Sequence, residues 1–361
     1  MGKLKNPNLN MNIYNYLPSE IYEKLSRRKA RLIYFLNSTN TERKGVFLHS
    51  MFRSGSTYLF KKFRENDKFW CYYEPFHHQL AHLKRDNIAV FRYDQVATNR
   101  MNHPHLSKPH FFEYTAALKG DTLFSYNPVI AYDDFAKVKH HALTYKYIRN
   151  LLISAPISTY PVLQFNRSSL RIKWLKSYFK KSLHIYLLRS PQDQFESYCQ
   201  AGKVSGNIFL AINVYILLKN PMYGEFFSVY KKLEKIIQLS GNIFGDLEKI
   251  ARKTDDIPLL LHYEIFLHIW FASLVHGSKY ADIIIDMNII GKNLSYTRGI
   301  ADEISKFVNI DQDLFEDANL KVYSNYSLDN EGMEEMERIV KRLYETGLKL
   351  VDVSYLRNLE I

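Results

Sequence analysis

The sequence predicts an α/β fold, a P-loop-like, doubly wound parallel sheet of about five strands flanked by helices. Two mainly helical insertions are expected to decorate it. Three observations lead there. Five short apolar runs, at residues 46–49, 70–73, 162–165, 183–188 and 282–286, lack strict alternation, which is the pattern of strands buried on both faces. Helical stretches separate them, and strand–helix alternation builds βαβ units around a parallel sheet. The 361 residues are 46% hydrophobic and 24% charged, a globular balance that excludes a disordered chain.

In chain order, residues 1–44 form a polar, basic N-terminal extension with a helix expected over 20–36. The main domain is expected over 45–328. Its first strand leads to a helix over 57–64, and the second to a large insertion at about 79–160, rich in His, Tyr and Phe. The third strand precedes a helix over 170–179, and the fourth a helix that starts at Pro191. A second insertion spans about 201–278. Its apolar run 208–218 contains Asn213 and is too short for a bilayer, so it reads as a buried helix. A C-terminal helix is expected from about Asp329 within residues 329–361. Glu331, Glu334, Glu335 and Glu337 lie near its start and Lys341, Arg342 and Lys349 later, complementing the helix dipole. Parallel sheets bind ligands at the carboxyl ends of their strands, so the loops after Ser50, Tyr73, Phe165 and Leu188 are where a site is expected.

The net charge of +12 suits a polyanionic partner without choosing among nucleic acid, anionic membrane, phosphorylated cofactor and acidic glycan. Lys and Arg are spread along the chain, and the runs at 24–31 and 173–181 read as solvated helix faces, so nucleic acid is not the expected partner. Two cysteines, Cys71 and Cys199, exclude a disulfide framework and point to a reducing compartment. The start Met1-Gly2-Lys3-Leu4-Lys5-Asn6 lacks the Ser or Thr of a myristoylation signal, and no apolar leader follows. A soluble, cytoplasmic protein without a transmembrane segment is therefore expected. With neither Cys-x-x-Cys nor His-Glu-x-x-His, so is a metal-independent one.

Two loops carry chemistry. In His49-Ser50-Met51-Phe52-Arg53-Ser54-Gly55-Ser56-Thr57-Tyr58, a buried strand passes through a cation and a glycine into a helix. Free N–H groups, the helix dipole and the Arg53 fork make an anion site there, the plainer alternative being an ordinary capped turn. It is not a Walker A loop, because Gly-Lys-Ser/Thr is missing. In Leu188-Arg189-Ser190-Pro191-Gln192-Asp193-Gln194-Phe195-Glu196-Ser197, Ser190 is placed as N-cap, Pro191 as the first helical residue and Asp193 as a capping-box acid. Ser197 lies two turns on, on the same face, so Arg189 and Ser197 can converge on one anion.

Together these loops resemble the sulfotransferases that use 3′-phosphoadenosine-5′-phosphosulfate (PAPS). Residues Arg53 to Leu59 resemble the 5′-phosphosulfate loop, and Arg189 with Ser197 resemble the 3′-phosphate motif. Tyr73-Glu74-Pro75-Phe76-His77 resembles the Glu-Pro segment of carbohydrate sulfotransferases, and Glu74 lies 21 residues after Arg53, as in that type and the tyrosylprotein type. The family's usual Arg-Asp-Pro is Arg189-Ser190-Pro191 here, and the Gly-rich C-terminal loop of the small-molecule enzymes is not evident. Without a Golgi-type anchor, a soluble bacterial-style member is expected.

The resemblance implies in-line sulfuryl transfer to an acceptor hydroxyl, on a carbohydrate, glycan or glycolipid, with adenosine 3′,5′-bisphosphate (PAP) as product and no metal. A tyrosyl peptide, a lipid or a small metabolite stays open as acceptor, and the first insertion would suit its pocket. Arg53 and the N–H groups of Ser54, Gly55, Ser56, Thr57 and Tyr58 would hold the 5′ end, and Arg189 and Ser197 the 3′-phosphate. Glu74 is the expected general base, with a pKa raised by burial, its plainer role being a salt bridge to Arg53 or another cation. His77 and His78 are rival bases, and His103 and His105 weaker ones. Arg167, at the edge of the third strand, would touch acceptor or donor. Tyr58, Phe112 and Tyr114 would stack on sugar rings unless they pack in the core. A P-loop-type kinase or NTPase, and a non-enzymatic basic binding protein, are the competing readings.

Overall fold

The computed structural model describes residues 43–88, 106, 108–132, 134–135, 138–205, 207–219, 233, 237–323 and 326–347. The helix expected over 20–36, His103, His105 and Lys349 lie outside them.

The central strand β1 (Val46–His49) pairs in parallel with β5 (Tyr160–Phe165) on one side and β6 (Leu183–Leu188) on the other. Outside β5 lies β2 (Phe69–Tyr73), and outside β6 lies β7 (Ile283–Asp286), also parallel, so the order is β2-β5-β1-β6-β7. Every residue of β1 and β6 is buried, which is why their sequences are continuously apolar instead of alternating. Register aligns His49 with Phe165 and Tyr186, so β1 and β5 end together and β6 runs two residues further.

The helices that follow β1, β5 and β6 are α1 (Ser56–Arg64), α3 (Ile172–Tyr178) and α4 (Pro191–Ser205). Helix α2 (His141–Ser154) precedes β5. Between β6 and β7 the chain also forms α5 (Ile208–Lys219), α6 (Ile243–Arg252) and α7 (Leu259–Tyr280), the helical second insertion. After β7 come α8 (Leu294–Ser305) and α9 (Asn330–Gly347). Asp329 Oδ1 accepts from the Gly332 N–H and caps α9 where the sequence placed its start. One core lies among α1, α2, α8 and the sheet, and a second joins α4, α5, α7 and α9. By length and composition α7 is apolar enough to cross a membrane, yet 67% of its apolar window is buried in this fold.

The first insertion carries α2. Apart from α2 its described residues form short 3₁₀ turns and a two-stranded hairpin, β3 (Leu118–Lys119) with β4 (Thr122–Leu123). Pro128 opens one such turn, and Gly120, at φ +62°, reverses the hairpin, cutting the segment into pieces too short for an α-helix.

A buried histidine pair ties β1 to β6. His49 Nε2 lies 2.9 Å from His184 Nδ1, His49 Nδ1 lies 2.7 Å from Ser168 Oγ, and His184 Nε2 lies 3.2 Å from the Phe179 carbonyl oxygen. A single proton order satisfies the chain with both rings neutral: His184 donates to Phe179, His49 to His184, and Ser168 to His49. Burial holds the His49 pKa well below normal and takes His184 down to about 4.

Candidate functional site

The first loop continues the pairing of β1 by one residue, with the Ser50 N–H donating to the Phe165 carbonyl at 3.0 Å. Ser54 Oγ then closes the turn on the Met51 carbonyl at 2.9 Å. Gly55 is the N-cap of α1, at φ +90° and without a side chain to cap it. Its carbonyl takes the N–H groups of Tyr58 and Leu59, while those of Ser56 and Thr57 have no acceptor among the described residues. Tyr58 does not face this turn with its hydroxyl, which donates to Asp317.

The second loop locks onto the first. Arg189 Nη1 donates to the Arg53 carbonyl at 2.8 Å, and Gln194 Nε2 to the Phe52 carbonyl at 2.7 Å. Arg53 Nε donates to Ser197 Oγ at 2.9 Å, so Ser197 meets Arg53 directly and Arg189 through the backbone. The Trp270 indole fixes the Arg189 carbonyl at 3.0 Å. Ser190 Oγ accepts from the Asp193 N–H at 3.3 Å, the expected N-cap. Burial lowers the pKa of both Arg53 and Arg189, and repulsion from the Arg189 charge lowers that of Arg53 further. An anion placed between them would relieve that repulsion.

Residues 317–323 strap across the two loops. Leu320 lies over Gly55, Arg189 Nη2 donates to the Lys321 carbonyl at 2.6 Å, and the Tyr323 N–H donates to Asp193 Oδ1 at 3.0 Å. Asp193 therefore holds the strap instead of completing a capping box. Glu196 takes the N–H and hydroxyl of Ser327 in the same way.

The loops after β2 and β5 form the other half of the site. The Glu74 N–H donates to the Gln164 carbonyl at 2.8 Å, so the residue is an extension of the strand pair. Its Oε2 accepts from Arg167 Nη1 at 2.9 Å and from the Asn166 N–H at 3.2 Å. The ion pair thus forms with Arg167 and not with Arg53. Arg167 lies between the rings of Phe52 and Tyr132, 4.9 and 5.3 Å from their centroids, and its Nη2 donates to Tyr132 Oη at 3.4 Å. Burial raises the Glu74 pKa, and Arg167 and the Asn166 N–H oppose that rise. His77 Nδ1 accepts from the Gln79 N–H at 3.2 Å, which puts the proton of the neutral ring on Nε2. Burial and Arg167 push its pKa well down and that of His78 to about 4. The neutral His78 ring can take the Tyr132 hydroxyl proton on Nδ1 at 3.2 Å.

The halves meet at Asn166, which the sequence reading missed. Ser56 Oγ and Gln164 Nε2 donate to its Oδ1 at 2.7 and 2.8 Å, and the Ser50 hydroxyl divides its one proton between that oxygen, at 2.8 Å, and the Phe165 carbonyl, at 3.0 Å. Its only sequence signal was its place at the carboxyl end of β5. Tyr132 and the strap gave no local signal. Tyr114 is core, bonded to the Tyr73 carbonyl at 3.0 Å, while Phe112 is half-buried beneath Lys108. Among the described residues no group of three or more His, Cys, Asp and Glu is placed to hold a metal.

Backbone strain marks the same place. Four non-glycine residues have positive φ among the described residues, and Arg53, at +61°, and Glu74, at +46°, are two of them. Such conformations cost about 1–3 kcal/mol each and persist where the surroundings impose them, characteristically at functional sites. Gly55 adds a third left-handed position, where a Cβ would come 2.6 Å from Leu320 Cδ2 and 3.0 Å from Met287 Cε. Gly55→Ala should therefore lose about 1–2 kcal/mol of stability in urea unfolding. An unchanged midpoint would mean that the turn relaxes freely.

Set against protein-family models, curated proteins and solved structures, the chain finds no match in any of the three.

Proposed function

We propose that the protein is a PAPS-dependent sulfotransferase acting on an acceptor hydroxyl, with a carbohydrate, glycan or glycolipid as the favoured acceptor. The observation that carries this reading is the Arg53–Ser197 contact at 2.9 Å, with Arg189 on the Arg53 carbonyl, beside the uncapped start of α1. The donor set is guanidinium, hydroxyl and backbone N–H, which suits a doubly phosphorylated nucleotide. Arg53 and the N–H groups of Ser56 and Thr57 would hold the 5′ end, and Arg189 and Ser197 the 3′-phosphate. When bound, the donor supplies an activated sulfuryl group whose S–O bond to the 5′-phosphate breaks as one to the acceptor oxygen forms. The protein's share is positioning and charge stabilisation, as in phosphoryl transfer.

Glu74 takes the acceptor proton. Its Oε2 accepts from Arg167 Nη1 and the Asn166 N–H, and burial raises its pKa, the direction that a general base needs. His77 is less suited, because the proton of its neutral ring already sits on Nε2. His77 and His78 then border the acceptor with Arg167.

The test is calorimetric titration with PAP in the absence of metal, alongside ATP with Mg²⁺. Metal-free binding of the bisphosphate with weak ATP is the expected result, and a preference for Mg·ATP would move the protein to the kinases. Arg53→Ala should cut donor turnover by about 10²- to 10³-fold, and Glu74→Gln should lose turnover while still binding PAP. Wild-type turnover in Glu74→Gln would move the base to a histidine.

A further inference from the structure

Tyr73 closes β2 and is followed directly by Glu74. Register sets it opposite Gln164, and the Tyr114 hydroxyl donates to its carbonyl at 3.0 Å. Its ring packs edge-on to Phe60 of α1, with centroids 5.0 Å apart, and against His110 at the same distance. Phe60 and Thr57 lie one turn apart on α1, so the ring runs along the helix towards its first turn. There the Tyr73 hydroxyl bonds to that of Thr57. One bond between two hydroxyls uses one of their two protons, and the other has no acceptor among the described residues. The Glu74 carboxylate and the guanidinium groups of Arg53 and Arg167 all act on the phenol, which places it between the two halves of the site. Burial and the Glu74 charge raise its pKa, so near neutrality it is a proton donor and not a base.

We propose that the Tyr73 hydroxyl donates to an oxygen of the transferring sulfuryl group, and that it discriminates the sulfated nucleotide from its desulfated product. This deepens the sulfotransferase reading and rests on it. The placement suits the ligand. In that reading the loop after β1 holds the 5′-phosphate and Glu74 faces the acceptor hydroxyl, so the sulfuryl group passes between them. Tyr73 touches both sides, bonded to Thr57 at the start of α1 and joined to Glu74 through the backbone. A sulfuryl group carries less negative charge than a terminal phosphoryl group, so a neutral donor can meet it without a full countercharge. Phe60 and His110 fix the ring and Tyr114 the backbone before the ligand arrives, which is the preorganisation that makes such donors effective.

Tyr73→Phe removes the hydroxyl and keeps the ring against Phe60 and His110. Affinities for PAPS and PAP are measured by calorimetry in the wild type and in this variant, with urea unfolding to check the fold. The expected result is a loss of at least about tenfold in PAPS affinity with PAP affinity unchanged within about threefold, as for one hydrogen bond to a charged group that only PAPS carries. Tyr73→Met, equally without a hydroxyl, should show the same selective loss, and it serves as the probe if the Phe variant does not fold. An equal loss for both nucleotides would make the hydroxyl a support of the Thr57 turn and overturn the proposal. So would no loss for either. A wild-type protein that binds neither nucleotide would instead overturn the sulfotransferase reading beneath it.

Discussion

Arg167→Met should destabilise the fold by about 3–5 kcal/mol, the cost of leaving a buried carboxylate without its cation. Both partners are almost fully buried, Arg167 at 3% and Glu74 at 2% exposure, so water cannot replace the lost bond. Two ring faces and the Tyr132 hydroxyl also depend on the guanidinium, so the neutral side chain loses packing as well as charge. Glu74→Gln should cost less, because the amide still offers an oxygen to Arg167. Arg167→Met in the Glu74→Gln background should then cost clearly less than in the wild type. The measurement is a denaturant double-mutant cycle, and a coupling near zero would mean that the pair is held by its packing alone.

Acid should destabilise the protein through its buried histidines. Three histidines, His49, His77 and His184, are buried and neutral in the native state, with folded pKa values well below normal or, for His184, about 4. The unfolded chain binds a proton at each near pH 6.5, so the unfolded state holds more protons below that point and stability falls with pH. Their stabilising contribution is complete above the unfolded value and is lost as pH drops towards the folded one. By about pH 5.5 each costs about 1 kcal/mol, and His184 alone reaches about 3 kcal/mol by about pH 4. His78, His110, His262, His268 and His276 shift in the same direction. Glu74, Glu113 and Asp286, raised by burial, work against the trend but are outnumbered. Thermal melts between pH 7.5 and 5 should therefore show a steep fall in Tm below about pH 6.5. His184→Gln and His49→Gln variants that fold should show a shallower one. A flat profile would require these rings to be protonated in the fold.

The sheet was readable because strands buried on both faces announce themselves as unbroken apolar runs. The predicted bounds of β1 and β6 match the strands, and those of β2, β5 and β7 differ by a residue or two at their starts. Strand order was not readable, since nothing local in 160–165 says that it inserts between β1 and β2. In the site, Arg53, Gly55, Arg189 and Ser197 were visible because loop-to-helix chemistry is local. Glu74 was visible as a strand end, but its partner Arg167 lies 93 residues on. Asn166 and the strap are made by long-range contact, and the polar, irregular stretch around 317–323 carries no pattern to betray what it covers.

The strand order also bears on how the chain reaches this state. The middle strand emerges first, yet its neighbours come from more than a hundred residues later, so no stretch of nascent chain can close the sheet on its own. Such non-local pairing slows folding, because loop closure must precede the contacts that reward it. The loop after β1 is finished later still, when Arg189 and Leu320 arrive. A chain synthesised only as far as β2 therefore has the first strand and its glycine turn without the contacts from Arg189 and Leu320 that complete that loop.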